Sequence, residues 1–193
     1  MLVARSLPAS GGETIFVDMR KAYDSLPDDL KAVVSKLRAV HSSRHVFGRK
    51  SDERSMYMKR DLAVQNAVHP VVIKHPVSGR KTLFVNPAFT VRFEGQTAEE
   101  SKELLETLYQ LAVQKENMTV FRWTPGSAVL WDNRAVWHCA ANNYKGMYRL
   151  MHRITLEGTC LESADPSQIG SMPLDDCGEV STSIACSLHT RKF

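Results

Sequence analysis

The chain has 193 residues, 43% hydrophobic and 24% charged. That balance supports one core-bearing domain and excludes disorder over most of the length. Lys and Arg number 25 against 21 Asp and Glu, a net charge of +4, too slight to specify a nucleic-acid partner. The excess is concentrated between Ser42 and Arg92, where ten basic residues stand against three acidic ones, the pattern of a solvated face or a funnel for small anions.

No run reaches the roughly 18 apolar residues of a membrane span. Arg5 interrupts Met1–Ala4, so that segment does not read as a signal-peptide core. The expectation is a cytoplasmic protein with no membrane partner. Cys139, Cys160, Cys177 and Cys186 show no CxxC spacing and are expected to be free thiols.

In chain order, Ser25-Leu26-Pro27-Asp28 supplies an N-cap, a first-turn proline and an early carboxylate, with Leu30, Val33, Val34 and Leu37 following at helical spacing. Residues 42–68 are polar and weakly patterned, and are expected to form a lid-like excursion. Val71–Ile73, Thr82–Val85, Val120–Trp123, Ala128–Trp131 and Arg149–Leu156 read as short strands bounded by turn residues such as Ser78-Gly79, Pro125-Gly126 and Asn142-Asn143. Between them, Thr97–Glu100 is a capping box, and Leu104, Leu105, Leu108, Leu111 and Ala112 give the helix that follows a buried stripe. The expected fold is mainly β with flanking helices, a sandwich or jelly roll. Residues 159–193 are expected to be a loosely attached tail without catalytic residues.

Seven histidines could ligate a metal, but none forms an HxxxH pair on one helix or an HxH or HxD pair on one strand; His41 and His45 are four apart, yet they lie beyond the apolar helix pattern, so spacing alone defines no metal centre. In Arg149–Thr155, Arg149, Met151, Arg153 and Thr155 share one face while Leu150, His152 and Ile154 share the other. Alternation leaves two readings open. Either Leu150 and Ile154 face the core and the arginines are solvated, or the arginines line an anion pocket, which requires anionic ligands because an unpaired buried guanidinium is costly.

Taken together, Gly11-Gly12-Glu13-Thr14, His69-Pro70-Val71-Val72, His75-Pro76-Val77-Ser78-Gly79, Leu83–Asn86, Phe89-Thr90, Arg122-Trp123, Trp131-Asp132-Asn133-Arg134, His138 and Arg149–Arg153 resemble the iron(II)/2-oxoglutarate taurine dioxygenase family, over residues 1–158. The resemblance implies a double-stranded β-helix (jelly roll), incomplete at its amino-terminal end, and a reaction that consumes O₂ and 2-oxoglutarate, hydroxylates a small anionic substrate and releases succinate and CO₂. It implies His138 as an Fe(II) ligand, Thr14 and Arg149 as the pair that binds 2-oxoglutarate, and Arg153 as the residue that meets the substrate's anionic group. Arg suits carboxylates because its planar fork binds them in a bidentate way. Trp131, Asp132 and Asn133 are expected to shape the turn before His138.

The family's other two iron ligands form a His-x-Asp pair upstream of the Gly-Gly-Glu-Thr element. The residues two positions after the histidines are Ser43, Phe47, Val71, Val77, Ala140, Ile154 and Arg191, so the chain contains no such pair. The expectation is therefore an oxygenase-type chain that is inactive in this form. The alternative is a non-catalytic truncated isoform or pseudoenzyme serving as an anion-binding or interaction module. A homo-oligomer is compatible with the sequence.

Overall fold

The computed structural model describes residues 1–42, 66–156 and 158–168; the body of the expected excursion and most of the expected tail, with Cys177 and Cys186, lie outside these residues. The described strands are β1 (Leu2–Ser6), β2 (Thr14–Asp18), β3 (Arg38–Ser42), β4 (Asn66–Pro70), β5 (Val72–Lys74), β6 (Lys81–Leu83), β7 (Thr90–Phe93), β8 (Met118–Phe121), β9 (Ala128–Val129), β10 (Val136–Ala140), β11 (Leu150–Arg153) and β12 (Glu162–Ser163). They pair in four three-stranded sheets, ordered β11-β1-β9, β10-β2-β8, β12-β5-β6 and β4-β3-β7, and every pairing is antiparallel. The described helices are α1 (Met19–Asp24), α2 (Asp28–Val34) and α3 (Ala98–Ala112).

The capping box expected at Thr97 is formed: Thr97 Oγ1 accepts from the Glu100 N–H at 3.2 Å and Glu100 Oε2 accepts from the Thr97 N–H at 2.7 Å. Two of the four orphan donors at the start of α3 are thereby satisfied. Leu105, Leu108 and Ala112 of α3 are buried, and the core they enter includes Val17, Met19, Ala22, Val34, Ala39, Val72, Val85 and Phe93. Each such large side chain stabilises the fold by about 1.5–3 kcal/mol. The expectation at Ser25 needs correction. Ser25 closes α1, its N–H donating to the Lys21 carbonyl, and α2 begins after Pro27 without a side-chain cap. Proline's fixed φ and missing N–H suit that boundary.

The sheet β10-β2-β8 has two faces of different character. In register, Phe16 lies opposite His138 and Thr14 opposite both Ala140 and Phe121, so Thr14, Phe16 and His138 share one face. The other face carries Val17 and Trp137, which belong to the core or pack against it; the Trp137 indole meets the Tyr109 ring edge-on and donates to the Val85 carbonyl at 2.8 Å. Period-two alternation thus sends one set of residues into the core and leaves the other to form a site.

Two further expectations meet a different arrangement. Order continues beyond residue 158: β12 pairs with β5, and Leu161 and Ser163 are buried. The Cys139 thiol donates to the Ala140 carbonyl at 3.6 Å, whereas Cys160 is disulfide-bonded, against the expectation of a free thiol there.

Candidate active site

Arg149 sits immediately before β11, where its alkyl stem and Nε pass behind the Gly11–Gly12 backbone. Gly12 has φ +76°, and a Cβ added to it would stand 3.2 Å from Arg149 Nε and 3.3 Å from Arg149 Cδ. Glycine is needed here for the left-handed backbone and for the close approach together. Arg149 Nε is buried and has no hydrogen-bond partner among the described residues. A buried charged donor without a partner is expensive, and the described residues supply no acceptor for this one.

Thr14 is buried at the start of β2, and its Oγ1 accepts from the Trp123 indole N–H at 2.9 Å. Oγ1 accepts in that bond, so its own hydroxyl proton remains available to another acceptor. The segment between β10 and β11 closes this corner. Asn143 Oδ1 accepts from the Gly12 N–H at 2.8 Å, Asn143 Nδ2 donates to Glu13 Oε2 at 3.1 Å, and the Tyr144 ring lies 5.8 Å from the Arg149 guanidinium carbon.

His138 projects from β10 between aromatic rings, with its centroid 4.7 Å from that of Trp131 and 6.4 Å from that of Phe16. Burial, then the positive charges of Arg153 and of the chain's amino terminus, push its pKa down to about 4. At neutral pH it is an uncharged imidazole, the form that ligates metals. In register Arg153 lies opposite Leu2, two residues along from the pair of buried Ala4 and half-buried Met151. Arg153 is itself solvent-exposed, yet its charge reaches His138. The reading that put Leu150 and Ile154 in the core fails, since both are exposed, Ile154 by 49%.

The turn before β10 is fixed electrostatically. Asp132 Oδ1 accepts from the Arg134 backbone N–H and from Arg134 Nε, both at 2.9 Å, and Oδ2 pairs with an Arg134 terminal nitrogen at 2.6 Å. His75 Nδ1 accepts from the Ser78 N–H, which leaves Nε2 to donate to Asp132 Oδ2 at 3.1 Å. Despite the opposing effect of burial, the hydrogen bonds from Arg134 and its charge bring the Asp132 pKa down to about 2. The Trp131 indole donates to Asn133 Oδ1 at 2.9 Å. Asp132 and Asn133 therefore shape the turn as expected, while Trp131 also packs on His138. Beside this turn is a pocket lined by His41, Phe84, Asn86, Phe89, Trp137 and His138, among others. His41 is buried, and desolvation followed by neighbouring His69 pushes its pKa down to about 3.

Sequence reasoning missed the clamp formed by Asn143, which it read only as a turn residue. It also missed the Trp123–Thr14 hydrogen bond. Asn142-Asn143 carried a turn signal but no signal for a partner more than a hundred residues away.

Thr14 and His138 thus share one face of the β10-β2-β8 sheet, and Arg149 packs against Gly12, two residues before Thr14. The family model "Taurine catabolism dioxygenase TauD, TfdA family" matches residues 1–155, and the chain belongs to that family. An alkylsulfatase from Acinetobacter baylyi is 34% identical over 158 residues, covering 79% of this chain and 50% of the relative. The alpha-ketoglutarate-dependent 2,4-dichlorophenoxyacetate dioxygenase of Cupriavidus pinatubonensis is 41% identical over 141 residues, 72% of this chain and 47% of the relative. Among solved structures, a taurine dioxygenase from Burkholderia xenovorans superposes with a TM-score of 0.64 at 32% identity, covering 78% of this chain and 48% of that one. AAD-2 in complex with Mn(II) and N-oxalylglycine gives 0.67 at 30% identity, covering 78% and 59%. These neighbours make the fold a jelly roll. The chain spans about half the length of the curated relatives it matches.

The residues present fit 2-oxoglutarate and iron unequally. The buried Nε of Arg149, unpartnered among the described residues, and the available hydroxyl proton of Thr14 suit a carboxylate. For iron, His138 is one donor, and among the described residues no group of three His, Cys, Asp or Glu is placed to hold a metal ion. No helix among the described residues is long and apolar enough to cross a membrane.

Proposed function

We propose that this chain carries the 2-oxoglutarate-binding corner of an Fe(II)/2-oxoglutarate-dependent dioxygenase that hydroxylates a small anionic organic substrate, a sulfonate, sulfate ester or carboxylate. The buried Nε of Arg149, unpartnered among the described residues, carries this reading. Arg149 and Thr14 would hold the far carboxylate of 2-oxoglutarate, the arginine by charge-assisted hydrogen bonds and the threonine through its free hydroxyl proton. His138 would offer its neutral imidazole to Fe(II), which supplies O₂ activation in this family. Arg153, beside His138, would attract the substrate's anionic group, and the aromatic walls of the adjoining pocket would take its uncharged part. The names of the relatives support the substrate class, since they include a sulfate-ester enzyme and an aryloxyacetate enzyme.

A second reading rests on the donor set. With His138 alone among the family's three ligand positions, the described residues do not fit a complete iron centre. The chain would then bind 2-oxoglutarate-like diacids without turnover. Both readings predict diacid binding through Arg149. Isothermal titration with glutarate should show binding that Arg149→Ala weakens by more than a hundredfold, from the roughly 3–5 kcal/mol lost when a buried ion pair is broken. Equal affinity in the two proteins would remove the basis of both.

A further inference from the structure

The feature that no family-level reading assigns is the side-chain amide of Asn143. It reaches from the segment between β10 and β11 to the Gly11–Gly12 turn, more than a hundred residues away in sequence, and makes two hydrogen bonds of opposite sense. Its oxygen accepts from the Gly12 N–H at 2.8 Å, and its nitrogen donates to the Glu13 carboxylate at 3.1 Å. The contact is close-packed: a Cβ added to Gly11 would fall 2.5 Å from Asn143 Oδ1. Gly12 in turn lies against Arg149 Nε and Cδ, and Tyr144, the next residue after Asn143, places its ring near the Arg149 guanidinium. One short segment thus holds the backbone in front of the arginine stem and supplies the ring beside its charged end.

We propose that Asn143 is a positioning residue of the diacid site: by tying Gly12 and Glu13 to the segment that precedes β11, it fixes the wall against which Arg149 is oriented. The inference rests on the reading of Arg149 as the carboxylate-binding residue and adds to it the residue that sets the arginine's geometry. An arginine stem has several rotatable bonds and binds a carboxylate in a bidentate way only when its plane is held. The glycine turn has no side chains with which to hold it. The Asn143 amide provides that restraint by securing the turn from outside. Only an amide fills both roles as they stand, since the oxygen must accept from an N–H while the nitrogen donates to a carboxylate.

The test uses the chain with ¹⁵N-labelled arginine and glutarate as the probe, a diacid whose binding needs no metal. Two quantities are read: glutarate affinity, and the exchange rate of the Arg149 Nε–H with water in the absence of ligand. Asn143→Ala is expected to weaken glutarate about tenfold, the effect of losing two hydrogen bonds that hold the wall, and to speed Nε–H exchange. Asn143→Asp should do the same, because it sets a second carboxylate against Glu13. Combining Asn143→Asp with Glu13→Gln reverses the donor and acceptor of that pair while keeping the acceptor for Gly12, and should restore both affinity and slow exchange. A merely structural asparagine would not show that rescue.

Unchanged affinity and exchange in Asn143→Ala, with glutarate binding still abolished by Arg149→Ala, would overturn the positioning role and leave the carboxylate reading standing. Failure of the double variant to recover would likewise overturn it. If Arg149→Ala leaves glutarate binding intact, the carboxylate reading falls and the inference falls with it. Should Asn143→Ala not fold, the comparison of Asn143→Asp with the double variant decides.

Discussion

Gly12→Ala separates backbone strain from contact at the carboxylate corner, because the chain contains its own control. Gly12 and Gly126 share a positive φ, +76° and +81°. An L residue forced into that region costs about 1–2 kcal/mol, so both Gly→Ala changes should destabilise the fold by that amount and lower Tm by about 2–8 °C for a chain of this size. Their surroundings differ. A Cβ at Gly126 meets nothing within 4 Å, whereas at Gly12 it meets Arg149 Nε at 3.2 Å, Arg149 Cδ at 3.3 Å and Pro8 Cγ at 3.4 Å. Those distances are tighter than ordinary contact, and the side chain able to give way is Arg149. Displacing the guanidinium by a few tenths of an ångström misaligns a bidentate contact, and about 1–2 kcal/mol of carboxylate binding, a factor of roughly five to thirty, should be lost. Differential scanning calorimetry measures the first effect and glutarate titration the second. The two variants should match in Tm within a few degrees while only Gly12→Ala binds glutarate weakly. Equal glutarate affinity in both would refute the claim that the glycine turn and Arg149 form one site.

Three other outcomes follow from the same structure. The Asp132 carboxyl, held at about 2 against an ordinary value of 3.8, contributes stability that is fully present above pH 4 and is lost as pH falls from 4 toward 2. Discounted for its partial exposure, this amounts to about 1–2 kcal/mol; urea unfolding between pH 2 and 6 should show that acid limb, and Asp132→Asn should flatten it. Arg153→Ala removes one of the positive charges that depress His138, so the His138 pKa should rise while staying below 6.5 because burial, the larger cause, remains; NMR titration of the imidazole Cε1–H reads this, and no change would place Arg153 away from the site. Anaerobic Fe(II) titration should show no tight stoichiometric binding, whereas a sharp equivalence point would mean that residues beyond those described complete a metal centre.

Those features of the fold that rest on local chemistry could be read directly. Thr97 and Glu100 specify the start of α3 by hydrogen bonds within one turn, and the leucine spacing specifies its buried face. Several strands were visible through β-branched residues between turn signals, as with Val71–Ile73 and Thr82–Val85. At Ser25-Leu26-Pro27 the local signal was ambiguous, because a serine before a proline can end one helix as well as begin the next. The face of β11 was not legible at all: alternation separates Arg149 and Arg153 from Leu150 and Ile154 but cannot say which set turns inward, and here Leu150, Ile154 and Arg153 are exposed while Arg149 is half-buried. Family resemblance drew attention to Thr14, Arg149, Arg153 and His138. It gave no hint of Asn143, whose partners at Gly12 and Glu13 are brought near only when β2 and β10 pair and the chain turns back toward β11.

The account stands or falls on where a diacid lies in this chain. A crystal soaked with 2-oxoglutarate and solved at a resolution that shows both carboxylates is the most direct measurement. One carboxylate should accept from the Arg149 guanidinium and from the Thr14 hydroxyl within hydrogen-bond distance, in the corner closed by Gly12. A ligand bound through Arg153 alone, with Arg149 Nε still unpartnered behind Gly12, would contradict it.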